Sequence, residues 1–261
     1  MKNILLTISL LLFTASAYTQ INATCPDATE IFCGQTYSAN FGGYDPDAYT
    51  YFADCDESEY NKSVWFKIRG TGDVTHLSLC NYSPRIRLFT GECSDLKCFK
   101  EVFGFYYYQC EGYSEEIGFL SEEGKDYYIF CSTINPHLTA TLTAACYQPA
   151  ANNFCADAQP ININESVTFE HLGAYPSDSF VDIYTSYSPD TWYQFTGTGE
   201  TLFLEEGNAN ITKSFYTGDC SDLTRLDRLI VNNRTAVSTV AGTDYYLRIS
   251  GNYTSEIDFK L

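Results

Sequence analysis

The chain repeats itself. Val64-Trp65-Phe66-Lys67-Ile68-Arg69-Gly70-Thr71-Gly72 returns 127 residues later as Thr191-Trp192-Tyr193-Gln194-Phe195-Thr196-Gly197-Thr198-Gly199. At the same offset Phe89-Thr90-Gly91-Glu92-Cys93-Ser94-Asp95-Leu96 returns as Tyr216-Thr217-Gly218-Asp219-Cys220-Ser221-Asp222-Leu223. A duplication of this length confines the 261 residues to one blueprint built twice, each copy large enough to bury its own core.

The blueprint reads as β. Period-two alternation runs through Leu138-Thr139-Ala140-Thr141-Leu142, Ile86-Arg87-Leu88 and Ile257-Asp258-Phe259-Lys260-Leu261. Tyr127-Tyr128-Ile129-Phe130 and Tyr245-Tyr246-Leu247-Arg248-Ile249 each follow a glycine turn, and no window carries a helical stripe with caps. Many short strands between regular turns predict an all-β protein of two tandem antiparallel β-sandwich domains. The expected boundaries are 1–17 for a signal peptide, 18–146 for the first sandwich, 147–154 for a linker and 155–261 for the second. The repeats open alike, with Cys25-Pro26-Asp27-Ala28 and Cys155-Ala156-Asp157-Ala158.

Lys2, the apolar run Ile4 to Phe13 and the small residues Ala15-Ser16-Ala17 make the start read as a secretory signal. That run is too short to span a bilayer, so no membrane insertion is expected and the mature chain reads as secreted, extracellular or at the cell surface. All 11 cysteines lie beyond the cleavage site, as an oxidising compartment favours. Cleavage removes one lysine and no acid, moving the formal charge from −18 to −19, which repels nucleic acid and anionic lipid.

The order of motifs carries a resemblance. An opening Cys-x-Asp-Ala leads to the Trp65 strand and its Gly-Thr-Gly, then Leu77-Ser78-Leu79-Cys80. The turn Phe89-Thr90-Gly91-Glu92-Cys93-Ser94 and the strand Gly124-Lys125-Asp126-Tyr127-Tyr128-Ile129 follow. This resembles the secreted pre-peptidase C-terminal (PPC-like) β-sandwich repeats of exported bacterial proteins, over 25–146 and more weakly over 155–261. The resemblance implies a jelly-roll-like sandwich and a non-catalytic accessory or adhesive role. Two departures stand out: Gly207 and Arg225 replace Cys80 and Cys98, and the first copy carries nine extra residues before its Tyr127 strand, reading Phe103-Gly104-Phe105-Tyr106-Tyr107-Tyr108.

The cysteines admit two maps. Spacing favours a local Cys93–Cys98 bridge. Partners, however, should vanish together, and Cys93 has the counterpart Cys220 while Cys98 has none. That joins Cys25 to Cys93 and Cys155 to Cys220, leaves Cys33, Cys55, Cys80, Cys98, Cys110 and Cys131 to pair among themselves, and makes Cys146 the odd thiol.

Binding chemistry concentrates in the aromatic insert. On a strand, Phe105 and Tyr107 would face one way, Tyr106 and Tyr108 the other, so one pair is offered to a sugar ring or a partner protein unless the insert folds back on its own domain. Calcium is the candidate ion: Asp45, Asp47, Asp54 and Asp56 precede the Trp65 strand, with Asp178, Asp182 and Asp190 in the second copy. None of these fits an EF-hand, and plain surface acidity is the favoured account of them. Asn22, Asn61, Asn81, Asn164, Asn210, Asn233 and Asn252 each open a sequon, a glycan site in a eukaryotic host and a polar turn otherwise. His76, His137 and His171 form no metal or nucleophile motif, and Trp65 and Trp192 read as core. The expected role is a secreted, non-catalytic binder of extracellular polysaccharide, matrix polymer, glycoprotein or surface protein. The alternatives are a matrix component cross-linked through the odd cysteine and, last, a secreted hydrolase.

Overall fold

In the computed structural model, the described residues are 22–41, 55, 63–80, 84–99, 102–104, 114–133, 139–169, 171–177, 188–206, 211–227, 229–231, 234–251 and 257–260. They form an all-β structure of four five-stranded sheets.

The first half contributes β1 (Thr29–Ile31), β2 (Gln35–Asn40), β3 (Ser63–Arg69), β4 (Val74–Cys80) and β5 (Pro84–Glu92). It continues with β6 (Asp95–Cys98), β7 (Phe103–Gly104), β8 (Ser114–Leu120), β9 (Asp126–Thr133) and β10 (Thr139–Tyr147). One sheet has the order β1-β3-β9-β5-β6, the other β2-β10-β4-β8-β7. The second half contributes β11 (Gln159–Pro160), β12 (Ser166–Phe169), β13 (Asp190–Thr196), β14 (Thr201–Glu206) and β15 (Thr212–Asp219). Then come β16 (Asp222–Arg225), β17 (Leu229–Val231), β18 (Arg234–Ser238), β19 (Asp244–Ser250) and β20 (Ile257–Lys260). Its sheets run β11-β13-β19-β15-β16 and β12-β20-β14-β18-β17. Adding ten to each strand of the first half reproduces the second without exception. All pairings are antiparallel except β1 with β3 and β11 with β13.

Alternation on the strands builds the layers. Val64, Phe66 and Ile68 of β3 join Tyr127, Ile129 and Cys131 of β9 against Leu77 and Leu79 of β4 and Leu142 and Ala144 of β10, a single core between the two sheets. Tyr193, Phe195, Leu247 and Ile249 meet Leu202, Leu204 and Val237 in the same way. The tryptophans expected in the core are fully buried, yet they point to the opposite side of the sheet. Trp65 lies in a separate outer cluster with Cys25, Cys55, Phe89, Leu96 and Phe130, its ring 5.0 Å from Phe130 and 5.7 Å from Phe89.

The recurring motifs have physical causes. Gly91, the next-to-last residue of β5 before a two-residue turn, has φ 103°, and a Cβ there would stand 2.7 Å from the Asp95 carbonyl oxygen; Gly218 repeats this on β15 at φ 107°. The Tyr127 hydroxyl accepts the Glu122 amide at 2.9 Å, and Tyr245 accepts that of Val240 at 2.8 Å, which fixes each glycine turn to the strand that follows. Among the described residues no helix is long and apolar enough to cross a membrane.

Candidate functional site

The outer face of the β3–β9 sheet is assembled from the repeat openings. Cys25–Asp27 forms a 3-10 turn, repeated by Cys155–Asp157, a helical element that the strand-dominated sequence pattern concealed. Cys25 bonds Cys93 and Cys155 bonds Cys220, both with Cα atoms 5.6 Å apart, so each opening is stapled to the glycine turn of its own half. That part of the second cysteine map holds. The local bridge does not. Cys98 pairs in register with Phe89, four rungs down the ladder from the turn that carries Cys93. It bonds Cys55 instead, with Cα atoms 5.6 Å apart.

Two further corrections follow. Cys146 is not the odd thiol: it bonds Cys33, tying the end of β10 to the turn between β1 and β2. Cys80 is disulfide-bonded too. Among the described residues the free cysteine is Cys131, on β9 inside the core. Burial pushes its thiol far above the ordinary range, with Glu115 adding to the shift.

Asn22, expected as a sequon, is engaged with the Trp65 strand. Its Nδ2 donates to the Trp65 carbonyl at 3.1 Å, and its carbonyl accepts the Trp65 amide at 2.8 Å. Asn152 does the same to Trp192, at 2.9 and 2.8 Å, although Asn152-Asn153-Phe154 is no sequon. The position therefore serves the fold in both halves. Asn164 sits exposed in the left-handed region at φ 72°, where the first half uses Gly34 at φ 78°.

The second half departs most under its tryptophan. Ser63 pairs with Ser132 and Trp65 with Phe130, whereas Asp190 pairs with Ser250 and Trp192 with Arg248. Arg248 takes the place of Phe130 and Asp190 that of Ser63. Arg248 Nε donates to Asp190 Oδ2 at 2.6 Å, its Nη2 pairs with the same oxygen, and both residues are buried. Ser177 donates its hydroxyl to Asp190 at 3.1 Å and accepts the Trp192 indole at 3.3 Å. Asp190, read as a calcium candidate, spends its carboxylate here. Where the first half closes over its tryptophan with Cys55–Cys98, the second closes with an ionic clamp. No sequence motif marks it, since the pair is 58 residues apart; aligning the repeats would have exposed the paired substitution.

The remaining candidates fall elsewhere. Phe105, Tyr106, Tyr107 and Tyr108 lie outside the described residues, as do Asp45, Asp47, Asp54, Asp56, Asp178 and Asp182. So do Cys110, Asn61, Asn81, Asn210, Asn233, Asn252 and His137. The strands on either side of the insert are described. Residues 105–113 connect β7 to β8 at the edge of the second sheet, where the second half joins β17 to β18 through 232–233 alone. Below that connection the row His76–Gly118–Phe103 crosses β4, β8 and β7; its equivalent is Phe203–Ala236–Leu229. His76 is buried, while Phe203 and Leu229 are 36% and 42% exposed. Among the described residues no three His, Cys, Asp or Glu side chains form a metal-binding group. No protein-family model matches the chain, and no curated protein matches it.

Proposed function

We propose that the chain is a secreted, non-catalytic pair of PPC-like β-sandwiches that binds extracellular carbohydrate, matrix polymer or a partner protein through Phe105 to Tyr108. The observation that carries this reading is the position of the insert. Nine residues rich in tyrosine separate β7 from β8, where two residues separate β17 from β18. A loop that departs from its own template while the strands around it do not is where recognition is placed on a rigid fold. Disulfides in the described core fit an extracellular setting. An acidic chain with flat aromatic side chains suits neutral polysaccharide or a basic partner better than an anionic polymer.

The test replaces residues 105–113 with the Asn-Asn pair of 232–233 and, separately, makes Tyr106→Ala/Tyr108→Ala. Both proteins and the parent are then passed over a panel of immobilised polysaccharides and glycoproteins, with calcium and with chelator. Retention lost in both variants while the fold persists supports the reading. Retention that survives the insert's removal overturns it. The rival reading is cross-linking through an odd cysteine; among the described residues the free cysteine, Cys131, is enclosed in the core rather than offered to another chain.

A further inference from the structure

The described cysteines do not close among themselves. Eight of them form Cys25–Cys93, Cys33–Cys146, Cys55–Cys98 and Cys155–Cys220, and Cys131 is free. Cys80, the last residue of β4, is disulfide-bonded as well. Of the 11 cysteines in the chain, Cys110 alone is left to receive it.

Two further observations agree. The second half lacks both partners: Gly207 stands in place of Cys80, and the pair 232–233 stands where 105–113 contain Cys110. A bridge is useful only as a pair, so this joint loss is what a Cys80–Cys110 bond leaves behind. The sulfur also lies on the side such a bond needs. Leu77 and Leu79 of β4 enter the core, so Ser78 and Cys80 face the other side of the sheet, with Cys80 Sγ 3.9 Å from Ser78 Oγ. Cys80 pairs in register with Ser114, four residues after Cys110.

That outer face is closed in the first half and open in the second. Ser78 and Glu116 are 6% and 7% exposed although they look away from the core, and Glu116 accepts from Ser78 and Ser114 at 3.4 and 3.1 Å. Arg234 takes the place of Glu116 and is exposed, and Phe203 on the same face is 36% exposed.

We propose that Cys80 is bonded to Cys110 and that this bond pins the far end of the aromatic insert to the outer face of β4. Forming it takes two protons and two electrons from the two thiols. Thiol–disulfide exchange passes them to a disulfide donor of the oxidising compartment, as the other four bridges require. The near end of the insert follows Gly104, whose partner in the ladder is Ile117. Between those two anchors run 105–109, and four of these five residues are Phe105, Tyr106, Tyr107 and Tyr108. A segment this short, held at both ends, loses little further freedom on binding, so the bond prepares the contact surface before a ligand arrives. This last step rests on the binding role proposed above; the bond itself does not.

The experiment uses the exported chain. Trypsin separates the two cysteines, releasing 70–85 with Cys80 as its one cysteine and 101–125 with Cys110 as its one cysteine. Digestion of the alkylated, unreduced chain should give these peptides as a single linked species that splits on reduction. The Cys80→Ser/Cys110→Ser variant should keep the parent's far-ultraviolet β signal, while chymotrypsin nicks it between 105 and 109 at least about tenfold faster. On the polysaccharide and glycoprotein panel it should be retained about tenfold more weakly. Peptides recovered unlinked from the parent would overturn the inference, and so would nicking of the variant at the parent's rate. The peptide map needs no variant, and it decides even where the panel retains nothing, a result that overturns only the binding role.

Discussion

At the scale of single residues, the clearest contrast is between Asp190–Arg248 and the Ser63 and Phe130 they replace. A buried ion pair is a poor source of net stability, because desolvating two charges offsets their attraction, but removing one partner strands the other. Asp190→Ala should therefore destabilise the second half by roughly 3–5 kcal/mol, whereas Asp190→Ser with Arg248→Phe, the first half's own residues, should recover most of that loss. Urea denaturation followed by Trp192 fluorescence measures both, and a double variant as unstable as the single one would show that the clamp is not interchangeable with an apolar contact. Cys131 offers a second residue-level check. Its buried thiol should stay silent to a thiol reagent in the native chain and react once unfolded, while Cys131→Ile, the residue at position 249, should fold. Prompt labelling of the native protein would displace Cys131 from the core. Neither site was legible in the sequence: Asp190 read as a calcium candidate or a surface acid, and Cys131 as one of six equivalent cysteines, because burial depends on which strands become neighbours.

At the scale of elements, the glycine turns were legible, and what they do was half legible. The repeated Thr-Gly-x-Cys-Ser motif announced a turn carrying a cysteine. The reach of that cysteine back to the opening 3-10 turn followed from asking which partners persist together, while proximity in sequence pointed to Cys98. The ladder explains the failure, since Cys98 leaves the turn along β6 and pairs with Phe89. Positive φ and a close carbonyl make Gly91 and Gly218 intolerant of a side chain. Gly91→Ala or Gly218→Ala should cost about 1–3 kcal/mol and loosen the Cys93 or Cys220 staple. Thermal melts compared with a control Gly34→Ala check this. Gly34 also has a positive φ but open space around its Cβ, so equal losses at all three sites would mean that conformation alone matters and the close approach does not.

At the scale of the whole molecule, the duplication foretold strand order better than it foretold what holds each copy together. The matching of β1–β10 with β11–β20 follows from shared hydrophobic alternation and shared turns, which are local and therefore visible in sequence. Cross-links are non-local, and here the copies diverge. The first half carries Cys25–Cys93, Cys33–Cys146 and Cys55–Cys98, spanning 68, 113 and 43 residues; the second carries Cys155–Cys220, spanning 65, with the ionic clamp closing over its tryptophan. Each loop closed by such spans removes unfolded-state entropy worth roughly 4–5 kcal/mol in the chain-entropy picture, though nested loops do not add in full. Reduction should consequently act unevenly. With a strong dithiol at neutral pH, amide protons of β3 and β9 should lose hydrogen-exchange protection at a temperature where those of β13 and β19 keep theirs. The Asp190→Ala variant should close that gap, since it removes the contact that substitutes for Cys55–Cys98. Equal loss in both halves of the reduced parent would mean that the first sandwich stands on packing alone, its additional disulfides serving against proteolysis or force rather than for equilibrium stability.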